Sequence, residues 1–212
     1  MKKLLLSLIV MLSTVGLSNT ASAAPQLGQQ FDTVAQTLPT EDKSKIEVME
    51  IFWYGCSHCY HMETPLHTWL KSKPADVNFK RMPGLPNTSW TPMAQAYYTM
   101  DALGIQGKLH NKLFEAIHKQ KNLDPTKQKA AIDWITNNSG LDRKKVEDTF
   151  NSFAVNAKLK RAAQVFRSSG VTGVPSFVID GKYITSGTMA GGNAQALQVV
   201  DYILKNIRAS KK

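Results

Sequence analysis

The 212-residue sequence predicts an α/β fold in which a βαβ unit and a ββα unit are separated by an all-helical insertion. Three observations point that way. Runs with strand character lie at 46–53, 77–82, 176–179 and 182–185. Between the second and third of them, residues 89–169 show little strand pattern but several apolar stripes at helical spacing. The last two runs flank Asp180-Gly181, a strong two-residue hairpin signal.

The chain opens with Lys2-Lys3, an apolar stretch over 4–17 and the small-x-small triplet Ala21-Ser22-Ala23. This is the pattern of a secretory signal peptide over 1–23, cleaved before Ala24. The stretch is shorter than the ~20 residues a spanning helix needs. No Cys stands at the cleavage point, so a lipoprotein anchor is not expected. The mature chain is expected to be a soluble periplasmic or secreted protein. Residues 24–44 read as an extended arm with one short edge strand.

Residues 46–53 are nearly continuous in apolar character, as a strand buried on both faces requires. A helix is expected over 57–71, kinked at Pro65. The strand at 77–82 then completes a right-handed βαβ unit. In the helical block, Thr91-Pro92 reads as a cap and a first-turn Pro, followed by Met93, Ala96, Tyr97 and Met100 at i, i+3, i+4, i+7. Leu109, Leu113 and Ile117 mark the next helix. Asp124-Pro125 is expected to cap a third that carries Ile132, Trp134 and Ile135 and ends at Gly140. Asp142 caps a run through Val146, Phe150 and Phe153, and a last segment with Leu159, Ala162, Val165 and Phe166 closes at Gly170. After the hairpin, 191–207 forms a terminal helix with Leu197, Val200, Leu204 and Ile207 on one stripe.

Net charge is +10, and the leader removes two of the lysines. The remaining Lys and Arg are spread along the chain. The densest groups, Arg143-Lys144-Lys145 and 158–161, lie in helical patterns, so solvated faces are expected and no nucleic-acid role. The cysteine count is more telling. Cys56 and Cys59 are the only two, and they are separated by two residues. A bridge across so short a loop would constrain the unfolded chain little, so it reads as chemistry and not as a staple. Zinc usually takes a second, distant ligand pair; no second Cys pair is present, and His61 and His67 continue the same helix, so no metal is expected.

The pair sits in Phe52-Trp53-Tyr54-Gly55-Cys56-Ser57-His58-Cys59-Tyr60, where a strand gives way to a helix. Unsatisfied N–H groups and the macrodipole at that helix start favour a thiolate on Cys56. Cys56 is the candidate nucleophile and Cys59 its resolving partner. His58, between them, can add charge or a hydrogen bond to the Cys56 thiolate. Stabilising the thiolate favours the reduced form and makes the disulfide an oxidant. Glu50 interrupts an apolar strand: either it is buried, which should raise its pKa and let it pass protons to or from Cys59, or it stands at the strand edge in water. Glu63 reads as a solvated helix residue, and His61, His67, His110 and His118 as surface or packed imidazoles. Phe52, Trp53, Tyr54, Tyr60 and Met62 are either core or a groove for unfolded chains.

This stretch resembles the active site of the thioredoxin superfamily, and within it the DsbA-like thiol:disulfide interchange proteins. The likeness rests on Phe52-Trp53-Tyr54-Gly55-Cys56, His58, Tyr60 and the distant Gly173-Val174-Pro175. The commonest family dipeptide between the cysteines is Pro-His; here it is Ser57-His58, a departure that bears on the redox poise. The resemblance implies a thioredoxin-like fold with an inserted all-helical domain: a discontinuous domain of 24–88 and 170–212, and a helical domain of 89–169. It also implies a cis-proline loop at Val174-Pro175 facing the cysteines and pairing with substrate backbone, and an acidic proton carrier at Glu50. The function implied is a periplasmic dithiol oxidase, a monomer without cofactor. It would oxidise reduced, unfolded exported proteins and be reoxidised by a DsbB-like quinone-linked membrane protein. The rivals are a disulfide isomerase or reductase of the same superfamily, and a chaperone or binding protein that retains the fold. The short arm before the first core strand argues against an isomerase with its own dimerisation domain.

Overall fold

The computed structural model describes residues 23–210, so the leader expected over 1–23 lies almost wholly outside the described residues. The elements are β1 (Asp32–Thr33), β2 (Ile46–Phe52), α1 (Ser57–Ser72), β3 (Val77–Pro83), α2 (Thr91–Ala102), α3 (Gln106–His118), α4 (Gln128–Ser139), α5 (Arg143–Phe150), α6 (Phe153–Ser169), β4 (Ser176–Ile179), β5 (Tyr183–Ser186), α7 (Gly187–Ala190) and α8 (Asn193–Ser210). The strands form one mixed sheet in the order β1-β5-β4-β2-β3, with β2 and β3 parallel and the other neighbours antiparallel. Helices α2 to α6 interrupt this α/β fold between β3 and β4, as the sequence predicts.

β2 is central and buried at every position. Its period-2 alternation sends Ile46 and Val48 to one face, where Met62, Leu66 and Trp69 of α1 meet Leu197, Val200, Ile203 and Leu204 of α8. Met49 and Ile51 point to the other face, against Ala162 and Phe166 of α6. Each fully buried aliphatic side chain of this kind contributes about 1.5–3 kcal/mol, enough to make β2 the strand that both layers require. α6 is shared: its first half, at Val155 and Leu159, packs on Ala94 of α2, and its second half covers the sheet. A third cluster joins Phe52, Tyr54 and Cys59 to Met93, Met100, Leu109, Leu113, Phe114, Ile135 and Phe150. The end of β2 and the start of α1 are therefore gripped by the helical insertion.

Several local expectations change. Thr91 is not a cap: a 3₁₀ turn over Thr88–Trp90, capped by Asn87 Oδ1 on Ser89 N (3.0 Å), runs straight into α2. Asp124 caps only a turn, accepting from Thr126 N at 2.8 Å, and α4 starts later at Gln128. Asp142 does cap α5, Ser152 caps α6 where no cap is expected from the sequence, and Gly140 and Gly170 end α4 and α6 in the left-handed conformation. Phe153 does not continue the α5 stripe; it opens α6 and is 88% exposed. α1 runs unbroken through Pro65. In the hairpin, Asp180 (φ 52°) and Gly181 (φ 64°) turn the chain, but Ile179 pairs with Tyr183, so Lys182 belongs to the loop. The terminal helix begins at Asn193, after a short α7. The arm's edge strand is present as β1 on β5.

The candidate active site

β2 ends at Phe52, and the chain turns through Trp53-Tyr54-Gly55 before α1 begins at Ser57. Cys56 N donates to Trp53 O at 3.0 Å and closes that turn. A Cβ on Gly55 would overlap the Trp53 indole, so only glycine lets the ring fold back here. Cys56 is left at the N-cap of α1 with extended backbone (φ −92°, ψ 118°), and its Sγ accepts the Cys59 N–H at 3.4 Å. A sulfur stands where helices usually place a Ser or Asp oxygen, and its charge meets the same orphan donors.

The two thiols, both free, have opposite surroundings. Cys56 is half-buried and its pKa falls to about 6. The hydrogen bond shared with the Cys59 thiol leads; burial opposes it, and the Cys59 and His58 N–H groups and the His58 charge add to the fall. Cys59 is fully buried in the aromatic cluster, and burial, then that same hydrogen bond and the Cys56 charge, push its thiol well up. His58 is exposed at the first turn, and its carbonyl accepts from Asn193 Nδ2 of α8 at 3.1 Å. Val174–Pro175 is a cis peptide bond. Its loop does face the cysteines, since the Cys56 thiol donates to Val174 O at 3.4 Å across 118 residues of sequence.

Glu50 is completely buried. Oε2 accepts from Arg81 Nε at 2.9 Å, while Oε1 is buried with no hydrogen-bond partner. Burial raises its pKa to about 7 against the opposing pull of Arg81. Glu63 is not the solvated residue the helical pattern suggests: it is half-buried, 3.2 Å from Arg81 Nη2 and 3.3 Å from His110 Nε2. The physical reason is that α3 packs beside α1 and carries His110 in, a tertiary contact that periodicity along α1 does not contain. Burial works against the Glu63 charge, but His110 and Arg81 hold its pKa low. Of these two, Arg81 is the permanent counter-charge, because burial keeps the His110 ring neutral near pH 7.

Arg81 and His110 are the residues sequence reasoning missed. For Arg81 a signal existed: a Glu inside a strand buried on both faces needs a cation, and Lys80-Arg81 is the only cationic pair in the neighbouring strand. The parallel register sets Arg81 directly against Glu50. The packed reading of His110 and His118 holds: His118 Nε2 is 2.7 Å from Tyr54 O and its ring stacks on Tyr60. Phe52, Tyr54 and Met62 are core. Trp53 is half-buried, stacked on Trp90 at 4.3 Å. Among the described residues no cluster of three or more His, Cys, Asp or Glu is arranged to hold a metal ion, and no helix is long and apolar enough to cross a membrane.

The chain as a whole has relatives. Residues 62–204 match the family model of the DSBA-like thioredoxin domain. The thiol:disulfide interchange protein DsbA of Burkholderia cepacia is 36% identical over 213 residues, covering 100% of both chains. That of Pseudomonas aeruginosa is 35% identical over 209 residues, 98% of each. A crystal structure of Pseudomonas aeruginosa DsbA superposes with a TM-score of 0.81 at 35% identity, covering 89% of this chain and 97% of that one. The oxidoreductase DsbA from Xylella fastidiosa gives 0.80 at 26% identity, covering 88% and 100%. The family-model match, the full-length similarity and the shared fold agree: the chain belongs to the DsbA-like thioredoxin family.

Proposed function

We propose that the chain is a periplasmic dithiol oxidase that introduces disulfide bonds into exported proteins by exchange through Cys56 and Cys59. The observation that carries this reading is the unequal environment of two sulfurs in one helical turn, one at the helix N-cap and drawn towards the thiolate by the Cys59 thiol and then by N–H donors, the other sealed in apolar surroundings. In the disulfide form, a substrate thiolate attacks Cys56 Sγ. The Cys56–Cys59 bond breaks, a mixed disulfide forms on Cys56, and Cys59 departs with the electron pair and takes a proton. A second substrate thiolate attacks the substrate sulfur of the mixed disulfide and releases Cys56 as a thiolate. Two electrons have then passed from substrate to enzyme, and no cofactor takes part. A low Cys56 pKa makes it a good leaving group in the second step and favours the reduced enzyme, so the equilibrium runs towards substrate oxidation.

Each residue has a role in this reading. Cys56 is the exchanging sulfur, attacked in the first step and released as a thiolate in the second; Cys59 is the first leaving group, and His58 supports the Cys56 thiolate. Glu50 holds the proton that Cys59 gains on departure. Val174 and Pro175 receive substrate backbone beside Cys56. The fold is read as 24–88 with 170–212 carrying the dithiol, and 89–169 as a helical domain closing over Cys59. Unfolded, reduced exported proteins are the substrates of a monomeric enzyme, and a DsbB-like quinone-linked membrane oxidase restores the disulfide. The deciding experiment mixes oxidised protein with a reduced two-cysteine peptide and follows peptide disulfide by mass spectrometry. Wild type is expected to convert the peptide stoichiometrically and Cys56→Ser not at all. Conversion by Cys56→Ser at the wild-type rate would sink the oxidase reading and leave a binding role.

A further inference from the structure

His110 belongs to the helical insertion, yet its ring ends beside the dithiol turn. It is 3% exposed and sits among the rings of Phe52, Tyr54, Tyr97 and Phe114. Nδ1 lies 2.6 Å from Tyr54 Oη, and Nε2 lies 3.3 Å from Glu63 Oε1. The buried Tyr54 phenol stays protonated, so its O–H donates and Nδ1 accepts. The ring proton is then on Nε2, directed at a carboxylate that can only accept. One neutral tautomer satisfies both ends.

Beyond Glu63 the contacts continue. Arg81 Nη2 is 3.3 and 3.2 Å from the two Glu63 oxygens, and Arg81 Nε donates to Glu50 Oε2 at 2.9 Å. One guanidinium is thus divided between two carboxyl groups. Glu63 has His110 as a second partner; Glu50 has Arg81, and its other oxygen is buried without a partner.

We propose that His110 is a positioning residue of the dithiol centre: by donating to Glu63 it leaves Arg81 available to Glu50, and so sets the acid strength of the buried carboxyl taken as the proton site for Cys59. The polar groups that face it are Tyr54 from the turn before α1, Glu63 from α1, Arg81 from β3 and Tyr97 from α2. Without the Nε2–H, Glu63 relies on Arg81 alone and draws the guanidinium towards itself. Glu50 then loses part of its counter-charge and keeps its proton to higher pH. A side chain of the insertion thereby tunes a proton site on the central strand. This rests on the reading of Glu50 as the proton site for Cys59, but its test follows the carboxyl and not turnover, so the two can fail separately.

Reduced protein labelled with carboxyl-¹³C glutamate is titrated by NMR, the Glu50 signal being assigned by its loss in Glu50→Gln. His110→Phe keeps a ring in the aromatic pocket but can neither accept from Tyr54 nor donate to Glu63. Its Glu50 midpoint is expected to rise by about half a pH unit or more. His110→Gln, which offers an acceptor and a donor but does not titrate, is expected to restore the wild-type midpoint. An unmoved or lowered midpoint in folded His110→Phe overturns the proposal, and so does a rise that His110→Gln fails to reverse. Should His110→Phe not fold by circular dichroism, Tyr54→Phe is read in its place. It removes the phenol that orients the ring; a rise supports the proposal and an unchanged midpoint overturns it.

Discussion

Cys56 and Cys59 share one helical turn, and what separates them is hydration and donors. Cys56 keeps solvent on one side and N–H groups on the other; with a pKa near 6 its thiolate outnumbers the thiol about tenfold at pH 7. Cys59 is sealed from solvent and its thiol is pushed well up, so on the proposed mechanism its departure calls for a proton close by. Glu50, with a pKa near 7, is protonated often enough at neutral pH to supply one. Glu50→Gln keeps a hydrogen-bonding side chain against Arg81 but has no proton to give. The rate at which substrate thiolate reduces the enzyme is expected to fall on the order of 10–100-fold below pH 7. The wild-type decline as pH rises through about 7, corrected for substrate ionisation, should vanish in this variant. A stopped-flow pH profile that is the same for both proteins would remove Glu50 from the mechanism.

At the scale of elements, the site depends on how β2 stops and α1 starts. Gly55 allows the indole of Trp53 to fold back, and the Cys56 cap fixes where the helix begins. Far from the site, the hairpin between β4 and β5 depends in the same way on Gly181, whose φ is 64° and whose Cβ position is occupied by the Leu38 carbonyl of the N-terminal arm. That arm is held by Leu38 N on Gly181 O and Val34 N on Lys182 O, both 2.8 Å. Gly181→Ala therefore meets both a left-handed backbone and a backbone clash, and should cost about 2–4 kcal/mol. Asp142→Ala loses only the exposed α5 cap, about 1 kcal/mol. Urea midpoints of the two variants test this order, and a cap loss exceeding the glycine effect would contradict it.

For the whole molecule, the redox state and the stability are linked through Cys56. Its folded pKa lies below the 9.0 of an ordinary thiol, so the reduced protein gains stability that is fully present above about pH 9 and is lost as pH falls through about 6. The disulfide form has no such dependence. The reduced form should accordingly melt higher than the oxidised form at pH 8, and the gap should narrow steadily towards pH 5. Differential scanning calorimetry on both forms checks it; a gap that widens on acidification contradicts the assignment. Glu50 acts with the opposite sign: its raised pKa weakens the fold as pH climbs from 4.5 towards 7, in either redox form, and so cancels from the difference if its environment is common to both. The ion pairs of the basic surface, such as Lys144–Asp148 and Arg143–Glu147, are exposed and screened by solvent, too weak to alter this balance.

The one-dimensional chain determined whatever local spacing encodes: the both-face burial of β2 from its apolar run, the cap at Asp142, the stops at Gly140 and Gly170, the turn at Asp180-Gly181, and the place of Cys56 at the start of a helix from a Cys-x-x-Cys at a strand-to-helix junction. Glu50 was legible in part: the apolar run around it favours burial, but only the sheet, with β2 between β3 and β4, decides that against a place at the strand edge in water. What surrounds these residues was not legible. Thr91 and Asp124 look like caps in sequence because cap chemistry also suits turns, and only the path of the chain decides between them. Glu63 follows a solvated pattern along α1, yet α3 buries it; His110 looks like any helix histidine, yet it lies between Tyr54 and Glu63. Val174 reaches Cys56 across 118 residues. Periodicity reports which face of an element turns inward, whereas charge pairing and hydrogen bonding between elements depend on register and packing, and those are set only when the whole chain has closed on β2.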